Sequence, residues 1–150
     1  MVDAIPGPRL AHVVGCGPLK ALKNRLRAHG INPSAQRLAV ASYVLKTPDH
    51  PSADGVWEEA LRVLPTISRA TVYNTLNLFV KKGLIREVTL QPGRVRFDAN
   101  TIAHHHLVDA RTGRIFDVPF DSVAVTHDDL DGFDVHGYEV VLRGRKRERR

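Results

Sequence analysis

At 150 residues, 43 % apolar and 25 % charged, the chain has the size of one ordinary domain or two small ones and the composition of a foldable globular protein, which excludes general disorder. Its net charge of +6 is unevenly spread: residues 1–95 carry 13 Lys/Arg against 6 Asp/Glu, residues 96–142 carry three arginines against nine acids, and the last eight residues hold six basic groups and Glu148. A basic half joined to an acidic half points to a polyanion-binding unit beside a unit with another task, while a single cysteine, Cys16, excludes a disulfide framework and a zinc held by four thiolates of one chain.

Residues 1–17, with Pro6, Gly7 and Pro8, read as a flexible lead-in. Neither they nor any later run has a signal-peptide pattern or the length of a transmembrane helix, so the expected address is the cytoplasm, with no membrane partner. A first helix is expected from Pro18, suited to a first helical position, to a C-terminal cap at Gly30, with Leu19, Leu22 and Leu26 as its apolar stripe. Ser34 can cap a second helix in which Leu38, Ala41, Val44 and Leu45 recur at helical spacing. Pro48 and Pro51 break the chain, and Ser52 can cap a third helix with Val56, Ala60 and Val63 or Leu64 inward.

Ser68 opens a fourth helix that closes at Gly83, with Val72, Leu76, Phe79 and Val80 on one face. "LIREVTL" and "RVRFDA", separated by Gln91-Pro92-Gly93, predict a β-hairpin. Three helices and then a two-stranded ribbon give the order of a winged helix-turn-helix. Beyond residue 98, "HHHLVD", "RIFDVP" and "FDVHGYEVVLRG" read as strands and "DSVAVTHDDL" as a short helix. The expected fold is therefore α+β: a winged helix with its hinge over 18–97, a small α/β unit over 98–144 whose modest core calls for a partner chain, and a basic tail over 145–150.

A recognition helix needs polar side chains in its first turns, an apolar back and nearby cations. In "SRATVYNTLNLF", Arg69 and Asn74 have hydrogen-bonding ends, Tyr73 can touch base edges or thymine methyls, and Ser68 and Thr71 stand at the helix start, where Thr71 can hold a phosphate. Arg37 and the Lys20, Lys23, Arg25 and Arg27 set add positive charge. A plain amphipathic surface helix is the competing reading; the hairpin that follows and the basic surroundings favour double-stranded DNA.

In a strand, His104 and His106 share one face and His105 takes the other. Two imidazoles with the carboxylates of Asp98, at the end of the hairpin, and Asp117, on the next strand, make a mixed N/O set suited to Fe(II), Mn(II) or Zn(II). The alternative is a solvated His-rich strand. On local grounds His50, in "DHPSAD", is a loop histidine, His12, His29 and His127 carry no signal of a site, and His136, within an expected strand, reads as a satisfied or a ligating histidine.

Together these residues resemble the ferric uptake regulator family of metal-dependent repressors over about residues 18–144. The resemblance rests on "HPSADGVW", "SRATVYNTLNLFVKKGLIREV", "RFD", "HHH" and "FDVP". It implies a homodimer joined through the 98–144 unit that binds operator DNA and controls iron-homeostasis or peroxide-stress genes. It further implies Fe(II) or Mn(II), with Zn(II) able to substitute in vitro, at a regulatory site of His50, Asp98, His104, His106 and Asp117. The family's base-contacting tyrosine falls on Tyr73.

Two departures stand out. The C-x-x-C pairs of the family's structural zinc are replaced by Asp109 and Thr112 and by Lys146 and Arg149, so no four-cysteine zinc is expected. Tyr138 stands where a second metal site in many relatives needs a histidine. Two branches of the family remain open. The "HHH" run and the closing "GYEVVLRGRKRERR" resemble the iron response regulators (Irr), which implies haem as the signal with His105 or Cys16 as ligands, although Cys16-Gly17-Pro18 interrupts that branch's Cys-Pro pair. Aspartates at both 98 and 117 resemble the peroxide-sensing branch (PerR), in which a ligand histidine, here His50 or His104, is oxidised. A His/Asp metalloenzyme is the alternative of a different class, but no H-E-x-x-H or nucleophile motif appears, and the chain is expected not to be an enzyme.

Overall fold

A computed structural model describes residues 17–147. Cys16 and most of the expected lead-in lie outside the described residues, as do the last three residues of the basic tail. Four helices come first: α1 (Pro18–Ala28), α2 (Ala35–Val44), α3 (Ala53–Val63) and α4 (Arg69–Lys81). The hairpin β1 (Arg86–Gln91) and β2 (Arg94–Asp98) follows, then β3 (His104–Asp109), β4 (Ile115–Pro119), a 3-10 turn (Phe120–Ser122) and β5 (Val141–Gly144).

Local chemistry explains the helix ends. Ser34, Ser52 and Ser68 each accept a hydrogen bond from the backbone N–H three residues on, satisfying a donor that has no partner within the helix. α1 and α4 end alike: Gly30 and Gly83 adopt φ of 69° and 70°, and Ile31 and Leu84 then donate back to the carbonyls of Leu26 and Phe79. Ser68→Ala is expected to cost about 1 kcal/mol, and Ser68→Gly only a few tenths, in urea-unfolding experiments.

The apolar faces of the helices meet in one core built on Leu26, Ile31, Val40, Val56, Val72, Leu76 and Phe79, and Phe97 of the hairpin closes it. One expected core position does not reach it, and one alternative is decided. Leu19 is exposed at the start of α1, and at the end of α3 it is Leu64, not Val63, that packs inward. No helix among the described residues is long and apolar enough to cross a membrane.

β1 and β2 pair antiparallel around a Pro92-Gly93 turn in which Gly93 has φ of 68°. The second sheet has the order β4-β3-β5, with β4 antiparallel and β5 parallel to β3. Its buried apolar residues are few, chiefly Val108 and Ile115. Here the sequence reading needs two corrections. "DSVAVTHDDL" forms only the start of a helix, the 3-10 turn at Phe120–Ser122, and the strand expected from Phe133 begins only at Val141. The parallel register starts at His106↔Val141, so residues 133–139 pass the end of β3 without a strand to pair with and stay exposed.

Candidate metal centre and nucleic-acid interface

Three segments converge between the hairpin and the second sheet. Phe97 N–H donates to the Pro51 carbonyl at 2.9 Å, which pins the 48–52 loop to β2 and turns His50 toward Asp98. The period of a strand puts His104 and His106 on the same side of β3, and the antiparallel register sets Asp117 of β4 directly across from His106. One ligand atom from each of His50, Asp98, His104, His106 and Asp117 lies within 4.8 Å of the other four, and all but Asp117 are buried.

The inner atoms are three imidazole Nε2 and two carboxylate oxygens. Asp98 Oδ2 lies 3.0 Å from His104 Nε2, 3.4 Å from His106 Nε2 and 3.7 Å from His50 Nε2. Asp117 Oδ1 lies 2.9 Å from His50 Nε2 and 3.5 Å from His104 Nε2. A divalent ion with N and O ligands at about 2.1 Å sets neighbouring donors about 3 Å apart and opposed ones about 4.2 Å apart, the same scale as this cluster.

The proton positions agree. His104 Nδ1 faces the Ile102 carbonyl at 2.6 Å and His106 Nδ1 faces Glu139 Oε1; both partners accept, so each Nδ1 carries its proton. In the neutral rings the two Nε2 atoms, 3.0 Å apart, then turn lone pairs on each other unless a proton or a metal cation stands between them. His50 is buried with neither ring nitrogen in a hydrogen bond, so the short distance from its Nε2 to Asp117 lacks the alignment of a donor and acceptor. The residues fit a bound divalent cation.

Electrostatics points the same way. Burial opposes the charge of Asp98, yet contacts with His106 and His50 and the Asn100 N–H at 2.7 Å hold its carboxyl well below the usual carboxylate range. For His106 burial disfavours the cation, but Asp98 and Glu139 outweigh it and raise its pKa. The ionised Asp98 thus presents negative charge to a cation, which would displace the proton favoured on His106.

The profile of the ferric uptake regulator family matches residues 28–142. The chain belongs to that family. The peroxide-responsive repressor PerR of Staphylococcus epidermidis (strain ATCC 12228) is 32 % identical over 122 residues, 79 % of this chain and 81 % of that repressor. Among solved structures, the Campylobacter jejuni peroxide stress regulator superposes with a TM-score of 0.59 at 26 % identity, covering 89 % of this chain and 98 % of that one. The ferric uptake regulator from Pseudomonas aeruginosa with manganese shares the fold, with a TM-score of 0.62 at 23 % identity and coverage of 85 % and 98 %.

Several groups around this Fur-family cluster carry no sequence signal. Glu139 holds His106 from a segment 33 residues away, Asn100 Nδ2 donates to Asp117 Oδ2 at 2.8 Å, and Arg86 reaches Asp98 at 3.5 Å. Glu139 and Asn100 orient their ligands from behind, and losing such a partner typically weakens metal binding about 10–100-fold, whereas Arg86 faces the inner Asp98 Oδ2 and His104 Nε2, each at 3.5 Å. Glu139→Ala is expected to lower Mn(II) affinity by that factor in calorimetric titration while leaving the helical signal in circular dichroism unchanged.

His105 is fully buried on the other face of β3. It stacks on Phe120 and Tyr138, and its Nδ1 accepts from the Val140 N–H at 3.1 Å. At the first pair of positions replaced here, Asp109 and Thr112 bond each other: Asp109 accepts from the Arg111 N–H and the Thr112 hydroxyl, both at 2.9 Å. Lys146, at one place of the second pair, is exposed, and Arg149 lies outside the described residues.

On α4 the back face is buried, while Arg69, Tyr73 and Asn74 stand exposed on the other side. Ser68 and Thr71 join hydroxyls at 2.8 Å in the helix cap. Arg37, at the start of α2, donates to the Asn32 carbonyl at 3.0 Å, and Lys20, Arg25 and Arg27 of α1 are exposed.

Proposed function

We propose that the chain is a homodimeric, metal-responsive transcriptional regulator of the cytoplasm, with a DNA-binding winged helix over 18–97 and a sensing and dimerisation unit over 98–144. In this reading Fe(II) or Mn(II) is held by His50, Asp98, His104, His106 and Asp117. The observation that carries it is the origin of the five ligands: His50 belongs to the loop between α2 and α3, Asp98 ends β2, and the other three come from β3 and β4. When bound, the cation neutralises the two carboxylates and ties these segments together. His50 and Asp117, which already lie 2.9 Å apart, would then be held together and fix the angle between α4 and the second sheet. A cation that binds better in the DNA-competent arrangement raises DNA affinity by linkage.

The DNA side of the reading rests on Arg37, Ser68, Arg69, Thr71, Tyr73 and Asn74, with Tyr73 and Asn74 toward base edges and the hydroxyls of Ser68 and Thr71 beside phosphate. A mobility shift on duplex selected from a random pool, with and without Mn(II), tests it. Binding that tightens with Mn(II) is the expected result, and specific affinity indifferent to the metal contradicts it. Tyr73→Ala is expected to weaken the selected duplex more than random duplex.

Iron with peroxide sensing is the finer reading. It is supported by the PerR relatives at about 30 % identity and by aspartates at both carboxylate positions. Peroxide treatment of the iron-loaded chain, then mass spectrometry, is expected to find a 16-Da addition on the His50 or His104 peptide. Haem as the signal fits less well, because His105 is buried and stacked, with its Nδ1 already bonded. The metalloenzyme alternative needs a free base or nucleophile, whereas Asn100, Glu139 and Arg86 are each spent holding a ligand.

A further inference from the structure

We propose that Asp54 and Trp57 of α3 are positioning residues that hold Arg69 of α4 ready to read a guanine in the major groove, an inference that rests on the DNA-binding reading above. The Arg69 guanidinium sits over the face of Trp57, with its central carbon 4.5 Å from the ring centroid. The ring is itself held, since Trp57 Nε1 donates to the Ile67 carbonyl at 3.2 Å. Arg69 Nε sits 3.4 Å from Asp54 Oδ1, and the Tyr73 hydroxyl lies 3.4 Å from the same oxygen. One carboxylate therefore gathers two of the exposed side chains of the reading face.

The atom that Asp54 engages decides what is left. Asp54 pairs with the Nε side of the guanidinium, so both terminal amino groups of Arg69 remain, and among the described residues neither makes a hydrogen bond. Two parallel N–H donors match the O6 and N7 acceptors of guanine, whereas adenine offers one acceptor and one donor at that edge. Stacking limits rotation of the plane, so less freedom is lost when the pair forms. An acid on this face also repels phosphate, so its effect on non-specific affinity has the opposite sign to its effect on base choice.

That opposition gives the test. The full chain with Mn(II), as wild type, Arg69→Ala and Asp54→Ala, is taken through selection from a random duplex pool. Affinity is then measured for the wild-type winner, for its guanine-to-adenine variant at the position Arg69→Ala ceases to specify, and for random duplex. Wild type is expected to prefer guanine there by about tenfold or more. Asp54→Ala should lose most of that preference while binding random duplex as well or better. Asp54→Asn, which keeps the side-chain shape without the charge, should fall between and guards against a folding defect in the alanine variant. Full guanine preference in both Asp54 variants overturns the inference alone, as does equal loss on selected and random duplex. If wild type enriches no sequence, the DNA-binding reading fails and this inference falls with it.

Discussion

His104→Ala is expected to abolish the response to metal. The side chain supplies one of three inner nitrogens, 3.0 Å from both Asp98 Oδ2 and His106 Nε2, and its loss leaves two imidazoles and two carboxylates at a site formed for five donors. Removing an outer partner costs about 10–100-fold in metal affinity, so removing a donor should cost at least the upper end of that range. The variant should still fold. The core built on Val40, Val72, Leu76 and Phe79 is separate from the cluster, and the β3 backbone pairs on both sides without the imidazole. Calorimetric Mn(II) titration reads the loss, and a thermal melt close to that of wild type checks the fold. A variant that binds Mn(II) like wild type would remove His104 from the site.

Phe79→Ala is expected to give the largest loss of stability. Phe79 has no exposed surface, and it lies in the last turn of α4, where its carbonyl also takes the bond from Leu84 that closes the helix. Truncating a buried phenylalanine removes the transfer free energy of the ring and leaves a cavity, together about 3–5 kcal/mol. Against a typical domain stability of about 5–15 kcal/mol, that leaves the helical unit close to unfolding at room temperature. Urea unfolding should show the drop, whereas Leu19→Ala, on an exposed side chain, should change the midpoint little.

The sequence was most legible where the chemistry is local. Ser34, Ser52 and Ser68 mark helix starts because the cap is made within four residues, and Gly30 and Gly83 mark ends because the backbone there needs positive φ. His104 and His106 could be placed on one face because a strand alternates with period two. His50 was different. Nothing in "DHPSAD" marks it, and only the family resemblance brought it beside Asp98, across a loop that the Pro51–Phe97 bond holds in place. Glu139, Asn100 and Arg86 gave no signal because each acts through a contact set by the tertiary fold.

Residues 121–140 were the least legible stretch. The alternation in "FDVHGYEV" has the period of a strand, but a strand needs a partner, and β3 offers its edge to β5 only from His106 onward. The valines at 123 and 125 and Leu130 give no helical stripe, and Asp128, Asp129 and Asp131 crowd charge where a helix would continue. Leu130, Phe133 and Val135 stand exposed in consequence. In the homodimer proposed above a second copy of the chain is the expected cover, and Phe133→Asp is then expected to sediment as a monomer where wild type sediments as a dimer.

In the proposed regulator metal and DNA act on one equilibrium, through a site that draws ligands from both halves of the chain. Linkage makes it testable without assuming any mechanism: if Mn(II) tightens binding to the selected duplex by some factor, the duplex must tighten Mn(II) by the same factor. Titrating Mn(II) into the full chain with and without saturating duplex measures this directly, with His50→Ala as the control that unties the winged helix from the sheet. A tighter Mn(II) isotherm in the presence of duplex is expected for wild type, and two coincident isotherms for His50→Ala, if metal and DNA are linked through this site. Coincident isotherms for wild type would contradict that linkage.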